Sequence, residues 1–263
     1  MKAFKLFLCV VTTIALACTT ITSCKPSKKS DKGEKSEDTT NTDITIEHNP
    51  INEQNIIKDT TTAQGVDLGL SVLWADRNVG ASSPDAHGNY YAWGETSIKD
   101  DYSWLSYQHF SDSDNNGYPW KNDGEWDEDC TPEELSYLGE NISKTIYDVA
   151  HTEWGENWAM PTYQQWEELI NNCTWNITTK NGNNCYEITS NINGNSIILP
   201  IAGCRCDTTL HWEEAPFYWT SSFNQEMPNH AVGAYFEFYA AGHPYIGLWH
   251  RYLGCNVRPI HPK

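Results

Sequence analysis

Trp154-Gly155-Glu156-Asn157-Trp158-Ala159-Met160-Pro161-Thr162, running into Tyr163–Asn172, is the stretch from which the fold is read. Pro161 has no backbone N–H and biases Met160 toward an extended conformation. Thr162 is then placed as a helix N-cap. Gln165, three residues on, completes a T-x-x-Q capping box that satisfies two orphan N–H groups. Trp166, Leu169, Ile170 and Cys173 follow at i, i+3, i+4 and i+7, the spacing of one buried helical face. A rigid turn therefore feeds a capped amphipathic helix.

Upstream, Ile142, Ile146, Val149, Ala150 and Trp154 share a second helical face, with Asn141 or Ser143 as cap. Val66–Trp74 and Gly88–Glu95 read as short strands with glycine turns. Beyond the central helix the period changes. Tyr186–Thr189, Ser196–Ala202, Phe217–Ser221, Ala231–Tyr239, Tyr245–Trp249 and Cys255–Ile260 are strand candidates separated by Asn-Gly and Gly turns. Two central helices followed by many short strands give an α+β fold.

Composition sets limits on partners. The chain has 263 residues with 12 Trp, 14 Tyr and 7 Phe, enough rings both for a core and for a binding surface. A formal net charge of -18 repels nucleic acid, which excludes it as an expected partner. Lys2 and Lys5 precede the apolar run Leu6–Ala17, too short to span a bilayer as a mature helix, so residues 1–23 read as a signal peptide. Ile21-Thr22-Ser23-Cys24 resembles a bacterial lipobox and makes Cys24 the lipidation site. Acyl chains there would hold the protein on a membrane surface, at the bacterial outer membrane or cell exterior. Residues 24–64 are polar, aromatic-free and aperiodic, the composition of a disordered tether. Within them Asp38-Thr39-Thr40 and Asp59-Thr60-Thr61 resemble O-glycosylation signals; chance in a Thr-rich segment is the alternative. Residues 65–263 form the expected domain.

Several motifs in order carry a resemblance: Val66-Asp67-Leu68-Gly69-Leu70, Leu73-Trp74-Ala75, Asn78-Val79-Gly80-Ala81, Tyr91-Ala92-Trp93-Gly94-Glu95-Thr96, Tyr147-Asp148-Val149-Ala150, Trp154-Gly155 through Met160-Pro161-Thr162, Trp219-Thr220-Ser221-Ser222 and Val257-Arg258-Pro259. Together they resemble the Fibrobacter succinogenes major paralogous domain, over nearly all of residues 65–262. That family is common in surface lipoproteins of Bacteroidetes. The resemblance implies a C-type-lectin-like domain, related in fold to formylglycine-generating enzymes. Ala159 departs from the pattern, where Arg is usual.

Candidate sites follow. Asp112-Ser113-Asp114-Asn115-Asn116-Gly117 with Asp123 matches the spacing of a calcium loop. Asp112, Asp114, Asn116 and Asp123 would supply side-chain oxygens and Tyr118 a carbonyl. Position twelve is Asp rather than a bidentate Glu, and a solvated acidic loop is the alternative. Glu226-Met227-Pro228-Asn229 only partly resembles the sugar loop of lectins. Cys130, Cys173, Cys185, Cys204, Cys206 and Cys255 are an even set in an exported domain and so disulfide candidates. The Asn181-Gly182 turn would bring Cys173 toward Cys185, and Cys204 or Cys206 would meet Cys255 in the last strand. By the resemblance, the aligned ligand surface is Tyr235, Glu237, Tyr239, His243, Tyr245, Trp249, His250 and Tyr252; strand alternation would bury half of those rings. The expected function is a non-enzymatic surface lipoprotein that binds a glycan or surface-protein ligand. A formylglycine-type enzyme and a structural coat protein are the alternatives.

Overall fold

The structure is a computed structural model that describes residues 62–112, 134–236 and 244–263, all within the unit Glu53–Lys263. It is an α+β arrangement of short antiparallel strands and two helices. β1 (Gly65–Asp67) and β2 (Leu73–Ala75) form a hairpin, and β11 (Ile260–His261) adds to β2. α1 (Val149–Trp154) and α2 (Tyr163–Asn172) come next. β3 (Cys173–Lys180), β4 (Asn183–Ser190) and β5 (Ser196–Pro200) form a second sheet in sequence order. β6 (Cys204–Cys206) pairs with β7 (Thr209–His211). β8 (Phe217–Phe223), β9 (His230–Phe236) and β10 (Pro244–His250) form the third three-stranded sheet.

The Trp154–Thr162 stretch lies between two hydrophobic clusters. Trp154, Trp158 and Met160 enter one, with Trp93, Phe217 and Trp219; Ala159 enters the other, with Trp74, Trp166, Leu169 and Tyr218. Extended backbone points successive side chains to opposite faces, so Trp158-Ala159-Met160 serves both. Ala159 is fully buried, which leaves its small side chain at home there. Its N–H and C=O pair with Ile260, while the Pro161 carbonyl accepts from Ser221 N–H at 2.8 Å. The Thr162 capping box forms in both directions, and Trp166 and Leu169 are buried as expected. Thr162→Ala should lower stability by about 1 kcal/mol, the worth of one cap, in urea melts.

Other elements differ from expectation. Val66–Trp74 is a hairpin rather than one strand, because Gly69 turns the chain at φ 75° and its N–H is held by the Asp67 carboxylate at 2.8 Å. The first helix begins only at Val149. Its cap is Asp148, not Asn141 or Ser143, and Ile146 lies outside the helix with 75% exposure. Gly88–Glu95 makes a single bridge, Tyr91 to Cys255. β3 follows α2 directly, where no strand was expected. Contacts begin slightly before residue 65: Ala63 is buried and the Gln64 carbonyl accepts from Asp76 N–H at 2.9 Å.

The segment Leu253–Ile260 joins these parts, although only Ile260 belongs to a strand. Along it Gly254 bonds to Arg205, Cys255 to Tyr91, Asn256 to Phe217 and Trp219, Val257 to Val79, Pro259 to Ala75 and Ile260 to Ala159. Arg258 is fully buried. Its guanidinium donates to Asn78 Oδ1, the Ala75 carbonyl and the Ile198 carbonyl at 2.8–2.9 Å, which ties β2 to β5. Buried charge needs such full pairing.

Candidate functional site

Cys24, Asp114, Asn116, Tyr118, Asp123, Cys130, Glu237, Tyr239 and His243 lie outside the described residues, and Asp112 is the last residue before one such gap. Among the described residues no three His, Cys, Asp or Glu side chains gather as metal ligands. No helix among them is long and apolar enough to cross a membrane.

Of the rest of the expected ligand surface, Tyr235, Tyr245, Trp249 and His250 lie on the third sheet and Tyr252 follows it. Its register sets Tyr245 opposite Tyr235, Trp249 opposite Ala231 and His250 opposite His230. Neighbours on a strand face opposite sides, and Trp249 and His250 part accordingly. Trp249 packs edge-on against Phe217 at 5.0 Å. Gly233 makes room for it: a Cβ there would meet the indole at 2.8 Å. His250 instead lies tilted against His230 at 4.2 Å and stacks on Tyr252 at 5.6 Å, with Trp104 edge-on to His250 and Tyr252. All three expected rings, Trp249, His250 and Tyr252, are half-buried rather than fully core or fully exposed.

Arg251, between them in sequence, is buried and points inward. Its guanidinium donates to the Tyr107 hydroxyl, the Ser136 carbonyl and the Pro228 carbonyl, and lies 5.1–5.5 Å from the Trp93, Tyr107 and Phe223 rings. Such cation–π contacts gain strength when desolvated. The Glu226–Asn229 loop is thus fixed from beneath. Asn229 is itself buried, 2.7 Å from His230 Nδ1. Arg251 was not singled out from sequence, because a lone arginine between aromatic residues carries no spacing signal.

Trp212, also missed, extends the rings outward. It sits between β7 and β8 at φ 50°, 41% exposed, with its ring 5.5 Å from Phe217 and 5.6 Å from His211. Positive φ is unusual for a bulky residue. Trp212 and the half-buried Trp249 therefore both pack on the buried Phe217 ring, a connected set of three rings.

Burial pushes His230 down to about 3, with His250 adding to it, and burial pushes His250 down to about 4. Both rings are neutral at physiological pH. Lowered histidine values give a contribution to stability that is whole above the ordinary value of 6.5 and is lost as pH falls toward 4, since the unfolded chain then binds the extra protons. The slope approaches about 1.4 kcal/mol per pH unit per ring. Chemical melts from pH 7 to pH 4 should show this loss, and His230→Gln/His250→Gln should flatten it.

A separate polar cleft of about 390 Å³ lies beside α1. Trp154, Tyr91 and Val79 line it together with Arg77, Asn89 and Glu153. Arg77 is held by Asp76 and by the Ser82 carbonyl, and the Asn89 amide donates to the Tyr91 hydroxyl at 3.2 Å. Its polar groups come from loops on both sides of Gly80 and from α1, which is why no single motif announced it.

The thiols correct one expectation. The Asn181-Gly182 turn forms, but its register places Cys185 opposite Thr178 and Cys173 opposite Ser190, so Cys173 and Cys185 do not meet. Five residues of strand separate Cys173 from Thr178, about 16 Å. Cys204 lies beside Cys255, and Cys206 instead is 3.9 Å from the Tyr252 hydroxyl. Burial raises Cys185, raises Cys173 to about 11 and raises Cys255 well above the ordinary thiol value. No known protein family, curated protein or solved structure matches the chain.

Proposed function

We propose that the chain is a lipid-anchored surface protein whose α+β unit, of the C-type-lectin-like kind, binds a saccharide through the rings around β7 to β10. Trp212 carries this reading. A large indole held at φ 50° and 41% exposed, contiguous with Phe217 and Trp249, gives up both backbone ease and burial. Flat amphipathic rings offer contact area at low entropic cost, which suits the apolar face of a sugar.

Binding without catalysis is favoured by the state of the thiols. A nucleophilic cysteine needs an accessible thiolate in an electropositive setting. Cys255 is buried with its thiol value raised, the opposite condition. The lipobox-like Ile21-Thr22-Ser23-Cys24 supports anchoring at a membrane surface, and the ordered motifs from Val66 to Pro259 support the major-paralogous type.

The test is a glycan array of bacterial and host saccharides probed with the labelled protein. Wild type should bind a defined subset. Trp212→Ala should lose at least about tenfold in affinity while melting unchanged, because an exposed ring contributes little to the fold but can dominate a contact. Binding retained in Trp212→Ala, or wild type that binds surface proteins and no glycan, would overturn the reading.

A further inference from the structure

Cys204 and Cys255 stand in the one geometry among the described thiols that suits a covalent cross-link. Arg205 and Gly254 exchange both backbone hydrogen bonds, at 2.8 and 2.9 Å, as an antiparallel bridge. The positions on either side of such a pair are the non-hydrogen-bonded ones, where Cα atoms approach to about 4.5 Å and side chains point the same way. Cys204 and Cys255 occupy one of those positions. A disulfide needs a Cα separation of about 4.4–6.8 Å, so the backbone already meets its requirement. All five described cysteines are free thiols in this structure, Cys204 and Cys255 included. Both are buried in the same cluster, beside Tyr91, Trp93 and Phe217. Cys206, two residues on, falls opposite Leu253 and lies against Tyr252 instead.

We propose that Cys204 and Cys255 form a disulfide in the mature protein. It closes a loop that contains β7, β8, β9 and β10, and with them Trp212, Trp249 and His250. The cross-link therefore ties the base of the ring-bearing surface to the segment Leu253–Ile260. Its occurrence in the cell rests on the proposed export, since exported compartments favour disulfides; its geometry does not.

The chemistry is thiol–disulfide exchange with a small-molecule or protein disulfide. One cysteine thiolate attacks that disulfide, releases one of its sulfurs as a thiol and forms a mixed disulfide. The second cysteine then displaces the remaining sulfur, which also leaves as a thiol. The chain loses two hydrogens, and the oxidant gains them. Burial keeps both thiols from reacting once the core has closed, so exchange takes place while the chain folds.

The experiment takes the full chain, reduced and unfolded in urea, and refolds it in a glutathione redox buffer. Free thiols are blocked with N-ethylmaleimide and tryptic peptides are read by tandem mass spectrometry without reduction. Trypsin cuts after Arg205, which separates Cys204 from Cys206, and fragmentation distinguishes Cys204 from Cys185 on the same peptide. The expected product joins Cys204 to Cys255, lacks two hydrogens and disappears with reductant. Cys206→Ser should leave it intact, Cys204→Ser should abolish it, and reduction should move the urea midpoint of wild type downward. Blocked thiols at both Cys204 and Cys255 in refolded wild type, or Cys255 joined to another cysteine, would overturn the proposal. The same mapping on protein recovered from the exporting cell separates the two readings: a link formed in glutathione but absent there counts against export, not against the pairing.

Discussion

Asp148→Ala should cost about 3–5 kcal/mol, a large part of the roughly 5–15 kcal/mol that holds a domain together. The Asp148 carboxylate is fully buried and accepts from four backbone N–H groups: Lys144 at 2.8 Å, Ala150 at 2.9 Å, His151 at 3.2 Å and Met160 at 2.9 Å. Two of these cap α1; the other two fix the turn before it and the strand-like stretch after it. Alanine removes a cap worth about 1–2 kcal/mol. It also leaves buried donors unsatisfied, at about 1–3 kcal/mol each. Burial raises the carboxyl and the four donors work against that rise, so the acceptor geometry matters as much as the charge. Asp148→Asn keeps one acceptor oxygen and should fall between wild type and alanine. Urea melts of the three proteins check the order. A loss below about 1 kcal/mol for alanine would show that Met160 and α1 hold their places by other means.

Trp166→Ala should cost about as much, roughly 3–5 kcal/mol, through a different cause. The indole is fully buried, edge-on to Trp74 at 4.9 Å and tilted against Tyr218 at 5.7 Å. It is the point where α2 meets both β2 and β8. Its loss leaves a cavity that three separate elements cannot close together. Thr162→Ala, four residues away, should cost only about 1 kcal/mol. Equal effects at the two positions would mean that α2 rests on the surface rather than in the core.

The α+β arrangement was legible where local chemistry decides conformation. Pro161, Thr162 and Gln165 signal the start of α2 through a missing donor and a reciprocal cap, and both operate within four residues. The turn at Asn181-Gly182 was legible for the same reason, while β3 leading into it was not. Other features depend on contacts far away in sequence. Asp148 begins α1 because Met160 also needs its carboxylate, a demand invisible at Ile142–Val149. Cys255–Ile260 reads as one strand, yet its backbone bonds go in turn to Tyr91, Phe217 and Trp219, Val79, Ala75 and Ala159, so no long ladder forms.

The site was legible only in outline. Trp249, His250 and Tyr252 were named through the resemblance, and the structure sets Trp249 against Phe217 and His250 against His230 and Tyr252. Trp212 did not stand out, because its exposure and positive φ follow from how β7 and β8 are joined. The choice of Cys204 over Cys206 follows from the Arg205–Gly254 bridge, which spacing cannot supply.

The central claim is that a saccharide binds at Trp212 and the rings behind it. Calorimetric titration of the strongest array saccharide into wild type and into Trp212→Ala, under identical conditions, tests it most directly. Saturable heat with wild type and at least about tenfold weaker binding by the variant, at equal folded fraction, is the predicted result. Equal affinity in the two proteins, or no heat with wild type, would contradict it.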